Sequence, residues 1–244
     1  MPSDNCIFKR VEKKYMLWAA QRDELLSLIS HCLIPDVHGR STVCSTYLDT
    51  PDFLLIRNSI DAVCYKEKLR LRCYGVPRPE DHVFLEIKKK FKGVIYKRRI
   101  GLTLKEAEDY ICLGKKPPDS QILREIDYAL QLYEHPMPSM VLSYERDAFF
   151  GREDSGLRLT FDTAVRYRTN QLSPVYGNDG IPILPEDTVL MEIKTDGAMP
   201  LWLAHTLSQM EIYPTSFSKY GTAYRHLCQT PTTQKPSKGE PCHA

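Results

Sequence analysis

The sequence lacks the marks of several protein classes. It contains no apolar run of about 18 residues, so we expect no transmembrane helix and no membrane partner. The opening MPSDNCIFKRVEKKY has no apolar segment of the kind that a secretory signal needs, and we therefore expect a cytoplasmic protein. Eight cysteines are present without a CxxC pair, which favours reduced thiols over disulfides or a structural zinc site.

Signatures of common enzyme chemistries are missing too. We find no GxxxxGK[ST], GxSxG, HExxH or GxGxxG, and the seven histidines show no metal-ligand spacing. The net charge is only +2, from 33 basic and 31 acidic residues, which is low for a general nucleic-acid binder. The basic segments also lack interleaved aromatics on which bases could stack, so we expect no nucleic-acid partner.

What is present predicts a folded α+β chain. The content of 42% hydrophobic residues in 244 is enough for a real core. No repeat or linker divides the chain, so we predict one domain over residues 1–228 and a disordered, proline-rich tail over 229–244. Alternation of apolar and polar residues predicts strands at 7–16, 41–49, 61–75, 82–90, 94–103, 140–150, 156–168 and 188–196. Helical spacing and a capping box predict helices at 21–33, 104–113, 122–135 and 200–210, with a last ordered element at 217–227.

One predicted strand, KEKLRLRCYG, carries four cations on one face: Lys66, Lys68, Arg70 and Arg72. Like charges side by side repel, so this face looks either at bulk water or at something strongly negative. Other predicted strands repeat the pattern, and charged residues share a face in each of them. These residues are Arg10, Glu12 and Lys14; Glu86 and Lys88; Lys97 and Arg99; Arg158; and Glu192 and Lys194.

Two interpretations of these faces remain open. They are either the wet side of an antiparallel sheet or the lining of a closed one. The abundance of arginine, which suits bidentate binding of oxyanions, favours the lining. We therefore predict an antiparallel β-barrel tunnel with surrounding helices, lined by cations and a few carboxylates and suited to a polyphosphate-like anion.

The ordered run EKKY, YLDTPDF, LRLRCYG, FLEIKKK, SYERDAF, LRLTFD, MEIK and FSKYG resembles the VTC domain, over about residues 7–227. The VTC domain is the polyphosphate polymerase branch of the triphosphate tunnel metalloenzyme superfamily. The resemblance implies an antiparallel tunnel fold with helices around it. It also implies an ATP:polyphosphate phosphotransferase that passes the γ-phosphate of ATP to a growing chain with Mn²⁺ or Mg²⁺, so ATP and inorganic polyphosphate are the expected partners.

The resemblance also implies site residues. The expected catalytic side chains are Arg70, Arg72, Lys88, Arg146 and Lys219. The expected substrate-binding side chains are Lys14, Lys97 or Arg98, Arg158 and Lys194, to which the charged-face pattern adds Arg10 and Lys68. Glu192 is the expected metal ligand, joined by Glu12.

Arg10 marks a departure from part of the superfamily. Hydrolase and cyclase members carry ExExK on the first strand, whereas this chain has Arg10, Glu12 and Lys14 at those positions. The change favours the polymerase branch and leaves Glu12 open between a metal ligand and an ion-pair partner. Two alternatives therefore stay open, a tripolyphosphatase or nucleoside triphosphatase of the same fold, and a non-catalytic polyphosphate-binding module.

Overall fold

The structure, a computed structural model, describes residues 11–61, 64–92 and 94–229. The described strands are Val11–Trp18 (β1), Leu33–Pro35 (β2), Ser41–Asp49 (β3), Tyr65–Tyr74 (β4), His82–Phe91 (β5), Val94–Thr103 (β6), Met137–Gly151 (β7), Arg158–Arg168 (β8), Ile181–Pro182 (β9), Thr188–Thr195 (β10) and Pro214–Thr215 (β11). The described helices are Ala19–Ile29 (α1), Leu54–Ile60 (α2), Leu104–Leu113 (α3), Gln121–Leu132 (α4), Leu201–Gln209 (α5) and Lys219–Gln229 (α6).

The strands form a sheet with the hydrogen-bonded order β11-β1-β10-β8-β7-β3-β4-β5-β6, while β2 pairs with β7 and β9 with β8. Each of the registers given below is antiparallel. The predicted antiparallel sheet is therefore confirmed. Among the described strands the order does not close, because its two ends, β11 and β6, are not paired.

The chain divides into two compact units. Within the described residues, the first unit consists of 11–43, 144–165 and 184–218. Its core packs α1 and α5 on the apolar sides of β1, β8 and β10, with Leu25, Phe161 and Met191 among its most buried members. The opposite sides of these strands are thereby left for charged residues.

The second unit consists of 44–143, 166–183 and 219–229 within the described residues. One core packs α3 and α4 against the apolar sides of β4 and β5 and includes Leu69, Leu85 and Ile126. Another packs Tyr47 and Met140 with residues of α2 and α6. The prediction of a single domain is not tested by this division and stays a prediction.

Local sequence determines several boundaries. The side chain of Thr103 accepts a hydrogen bond from the backbone of Glu106, whose carboxylate accepts one in return, and α3 starts and ends as the capping box and Gly114 predict. The last predicted element is a helix, α6, which includes Gln229 of the predicted tail. Residues 1–10 and 230–244 lie outside the described residues. Across the described ranges, no helix combines the length and the apolar character that crossing a bilayer requires.

Candidate functional site

The second unit presents a cationic face on β4, β5 and β6. The strand register places Arg70, Glu86 and Arg99 in one row. Lys68, Lys88 and Lys97 form the next row, with like charges directly opposite one another. Paired residues of antiparallel strands share a face. We call this surface the cationic face, and its members are Lys66, Lys68, Arg70, Arg72, Phe84, Glu86, Lys88, Lys90, Lys97 and Arg99.

The cations of β4 do not form an open, solvated surface. Arg72 is only 9% exposed, and Lys66, Lys68 and Arg70 are partly buried. A wet sheet face would leave such long side chains extended into water. Of the two interpretations left open by the sequence, burial favours the lining.

Glu86 connects the cations of the face. Its carboxylate is 2% exposed and accepts hydrogen bonds from Arg70 through Nε at 2.7 Å and Nη2 at 2.6 Å. Lys97 Nζ lies 2.8 Å from its other oxygen. Burial raises the pKa of Glu86, but Arg70, Arg72 and Lys97 outweigh it and lower that pKa to about 2. Glu86 is therefore an anion throughout the physiological range and holds Arg70 in a fixed orientation.

For Lys97, in contrast to Glu86, burial outweighs the attraction of its ion-pair partner. Desolvation lowers the pKa of its ammonium to about 8, helped by repulsion from Arg70 and Arg72 and opposed by Glu86. The side chain is nevertheless 42% exposed, so its charge remains accessible to a ligand. The cationic face thus contains one lysine that loses its charge just above neutral pH.

Two hydroxyls of β3 accompany the arginines of β4. Arg70 Nη1 donates to Tyr47 Oη at 3.3 Å, and Arg72 Nε donates to Ser45 Oγ at 3.3 Å. Both hydroxyl residues are buried, with 7% and 2% of their surfaces exposed. Desolvation raises the pKa of Tyr47, but Arg70, Lys68 and Arg72 together lower it to about 8.

The assignment of Arg98 to the site requires correction. Arg98 pairs with Ile87 in the register, so its side chain lies on the opposite, helix-covered face. There its Nε lies 3.7 Å from Oε2 of Glu125 in α4. Arg99, which the resemblance did not select, lies on the cationic face with its guanidinium 4.7 Å from the ring centre of Phe84.

The first unit presents a mixed face on β1, β8 and β10, joined by one arginine of β7. The register pairs Lys14 with Glu192, and Glu12 with Lys194, so that opposite charges face one another. We call this surface the mixed face, and its members are Glu12, Lys14, Arg146, Arg158, Thr160, Asp162, Glu192 and Lys194.

Glu192 is surrounded by three cations. Lys194 Nζ lies 3.2 Å and Arg146 Nη2 lies 3.7 Å from its Oε2, while Lys14 Nζ lies 4.0 Å from its Oε1. Lys14 also lies 3.5 Å from Glu12 and donates to the carbonyl of Phe217 at 2.9 Å. Lys14 therefore bridges the two carboxylates that the sequence predicts as metal ligands.

Arg146 is the most buried cation of the mixed face. Its Nε and Nη2 donate to the two oxygens of Asp162 at 2.6 and 2.7 Å, and the Asp162 side chain is fully buried. Burial acts to lower the pKa of Arg146, but Tyr144, Asp162 and Glu192 raise it well above its ordinary value. Asp162 was not among the residues predicted from the sequence, and only the structure identifies it as the partner of Arg146.

Arg158 and Lys219 are two further predicted site residues that the structure describes. Arg158 pairs with Asp36 at 3.2 Å and lies over the ring of Phe150, so part of its charge is already neutralised. Lys219 is the first residue of α6, in the second unit, and is partly buried. Arg10 lies outside the described residues.

A sequence profile of the VTC domain matches residues 9–228. The chain belongs to the VTC domain family. No curated protein sequence matches it significantly.

Solved structures agree with this family at the level of the fold. A candidate adenylate cyclase from Bacillus halodurans is 16% identical with a TM-score of 0.51, covering 86% of this chain and 93% of that one. HpAC1 from Hippeastrum, a candidate adenylyl cyclase for which a dominant triphosphatase activity is described, is 14% identical with a TM-score of 0.52, covering 89% and 96%. At such identities the likeness concerns the fold alone. The chain has the triphosphate tunnel fold, and that prediction is confirmed.

The mixed face of this VTC domain offers donors that fit a hard divalent cation. Glu12 and Glu192 lie on one face, and Thr160, directly opposite Glu192, has a buried hydroxyl without a hydrogen-bond partner among the described residues. Carboxylate and hydroxyl oxygens suit Mg²⁺ or Mn²⁺, and Mg²⁺ usually takes its remaining ligands from water and substrate phosphates. Within the described residues no three His, Cys, Asp or Glu side chains form a metal cluster, so such a cation would depend on substrate oxygens.

Proposed function

We propose that this VTC domain is a metal-dependent phosphotransferase that adds the γ-phosphate of ATP to inorganic polyphosphate. The observation that carries the proposal is the cationic face, where most cations are partly buried and Glu86 orients Arg70. Such a surface suits an anion with many oxygens, because each phosphate needs both charge and directed donors. Family membership supports polyphosphate as that anion.

The cationic residues would bind and orient phosphate groups. Arg70 and Arg72 present guanidiniums whose positions are held by Glu86 and Ser45, so little rearrangement is needed when charge spreads over a transferred phosphoryl group. Lys68 and Lys88 add charge in the neighbouring row. Lys219 stays a predicted contributor to the same chemistry.

The mixed face would serve the metal. Glu192, assisted by Glu12, would hold Mg²⁺ or Mn²⁺, which when bound would neutralise phosphate oxygens and polarise the phosphoryl group. Lys14, Lys194 and Arg146 restrain the Glu192 carboxylate through both of its oxygens. We propose that Arg146 also stabilises developing charge, while Asp162 holds its orientation.

No general base is needed for this reaction. The attacking group is a terminal oxygen of polyphosphate, which is already an anion at neutral pH. It forms a bond to the γ-phosphorus of ATP as the bond to the bridging oxygen of the β-phosphate breaks, and ADP leaves with that electron pair. Alignment and electrostatics would therefore supply most of the rate enhancement.

A tripolyphosphatase is the second candidate, with water as the acceptor. The observation in its favour is the fold shared with HpAC1, for which triphosphatase activity is described. Water, unlike polyphosphate, must lose a proton, so the hydrolase would need a base that the polymerase does not. A non-catalytic polyphosphate-binding module is the third possibility, for which the carboxylates of the mixed face would be unnecessary.

The test is to incubate the purified protein with ATP and Mn²⁺, with and without a short polyphosphate primer. Gels and phosphorus NMR would resolve the products. We expect ADP and long phosphoanhydride chains; ADP with free phosphate alone would establish the hydrolase, and absence of ATP turnover would favour the binding module.

Substitution of Arg72 tests its proposed role in stabilising the transferred phosphoryl group. Arg72→Ala should lower the rate by roughly 10²- to 10³-fold, as the loss of an oxyanion donor does. Arg78→Ala, at an exposed position of the same unit, is the matched control and should keep the wild-type rate. A wild-type rate in Arg72→Ala would remove that residue from the mechanism.

A further inference from the structure

Tyr47 occupies an unusual position among the cations of the second unit. Its ring belongs to the buried core formed with α2 and α6, but its hydroxyl reaches Arg70 at 3.3 Å. Burial raises the pKa of this hydroxyl, but the nearby charges of Arg70, Lys68 and Arg72 outweigh burial and favour the ionised form. A buried ring thus carries a polar hydroxyl to Arg70 of the cationic face.

The ring of Tyr47 is held in place from behind. Tyr220 stacks on it with ring centres 4.2 Å apart and an angle of 21° between the planes. Tyr220 donates its own hydroxyl to Asp49 at 2.8 Å, and Asp49 also accepts from the backbone of Leu55 and Ile56 at the start of α2. These contacts fix the direction in which the Tyr47 hydroxyl points.

The hydrogen bonds of the Tyr47 hydroxyl are incomplete. A phenol accepts through its oxygen and donates through its hydrogen. A guanidinium only donates, so Arg70 occupies the acceptor side of the oxygen and leaves the hydrogen unused. The described residues provide no acceptor for that hydrogen, although only 7% of Tyr47 is exposed. Buried donors are almost always satisfied, so this hydrogen needs an acceptor that the described residues do not provide.

We propose that Tyr47 is a phosphate-contacting residue that donates its hydroxyl hydrogen to a phosphoryl oxygen bound at the cationic face. The inference rests on the proposed function, because it requires a phosphate-rich substrate at Arg70. It deepens that function by adding to the face a neutral donor that fixes the orientation of the bound anion, alongside cations that supply its charge.

Anion binding through the Tyr47 hydroxyl should depend on pH. Below about pH 8 the phenol can donate, whereas above it the tyrosinate cannot and repels the anion. The charged and titratable groups facing Tyr47 are Arg70, Lys68 and Arg72 from β4 and Tyr220 from α6. Lys97 titrates in the same range and also weakens anion binding, so the pH profile of the wild type alone is not diagnostic.

Calorimetric binding of inorganic tripolyphosphate to the full chain at pH 7 is the first part of the test. Tyr47→Phe keeps the ring and its stacking, and should weaken binding roughly 10- to 100-fold, the range for a hydrogen bond to a charged group. Thr46→Val is the matched control on the same strand. Its hydroxyl donates to the carbonyl of Leu172 at 3.0 Å, so its loss should leave tripolyphosphate affinity unchanged. Thermal melts of each variant check folding.

The pH dependence of tripolyphosphate affinity distinguishes a Tyr47 hydroxyl that donates to the anion from one that only positions Arg70. The affinity ratio of wild type to Tyr47→Phe cancels the titration of Lys97, which both proteins carry. If the Tyr47 hydroxyl donates to the anion, this ratio should fall to one or below as pH rises from 7 to about 9, since the phenol ionises near 8. A ratio that stays constant or grows would overturn the proposal. That result is expected of a residue that only positions Arg70, because ionisation of the phenol strengthens its contact with the guanidinium.

A near-ultraviolet titration of wild type against Tyr47→Phe provides a measurement that does not depend on a variant's affinity. It should reveal one tyrosine that ionises near pH 8 and whose pKa rises when tripolyphosphate is added. An unchanged titration with the anion bound would overturn the inference.

The products made from ATP decide the proposed function separately. Tyr47-dependent tripolyphosphate binding without polymer synthesis would uphold this inference and overturn the polymerase. Polymer synthesis together with wild-type affinity in Tyr47→Phe would uphold the polymerase and overturn this inference.

Discussion

The two charged faces of this VTC domain differ in how far their own residues neutralise them. On the mixed face, Arg146 is paired with Asp162, Lys194 with Glu192, and Arg158 with the neighbouring Asp36. On the described positions of the cationic face, Glu86 is the one acidic residue among eight cations. The mixed face therefore carries nearly equal numbers of positive and negative charges, whereas the cationic face carries a large excess of positive charge.

Stability should differ most between the two faces when a cation is removed. Arg146→Met would leave the fully buried Asp162 without its bidentate partner and should cost about 3–5 kcal/mol in the free energy of unfolding. Lys90→Met, at an exposed position opposite Lys66, should cost less than about 1 kcal/mol or stabilise the protein. Urea denaturation of both variants checks the comparison, and equal losses would show that the faces are neutralised to the same degree.

A pair of adjacent arginines tests the strand register on the cationic face. Arg99→Ala removes a charge from that face and should weaken tripolyphosphate binding by about tenfold. Arg98→Ala removes a helix-facing ion pair with Glu125 and should leave binding unchanged, at a cost of at most about 1 kcal/mol in stability. Binding measured by calorimetry should rank the two in that order; the reverse ranking would mean that the strand is shifted by one residue.

Alkaline pH should raise the free energy of unfolding by a small amount, through two groups at the cationic face. The folded protein releases the Lys97 proton near pH 8, whereas the unfolded chain keeps it to about 10.5. Between these values the unfolded state binds more protons, so the free energy of unfolding rises with pH, and Tyr47 adds to the rise between about 8 and 10. The Lys97 side chain is 42% exposed, which limits its contribution to below about 1 kcal/mol.

Chemical denaturation between pH 7.5 and 10 would measure this response. Lys97→Met should show a shallower rise than wild type, and Tyr47→Phe should also reduce it. An unaltered slope in both variants would indicate that neither group titrates in this window in the folded protein.

Much of the local structure could be predicted because it depends on neighbours in the sequence. β3, β6 and α3 have the predicted boundaries, since alternation, a turn and a capping box are all short-range signals. The tyrosine and serine of β3 could not be recognised in this way. From Val43 to Asp49 that strand is buried at every position, so nothing local distinguishes Tyr47 from an ordinary core residue.

The sequence by itself determined that several strands carry charge on one side, because side-chain direction alternates along a strand regardless of its partners. Only the tertiary structure decided which charges meet. Arg98 and Arg99 exchange roles with a one-residue shift in register, and Tyr47 finds its stacking partner Tyr220 at the far end of the chain. Pairing, burial and the pKa values that follow from them depend on such long-range contacts, and no local pattern of residues encodes them.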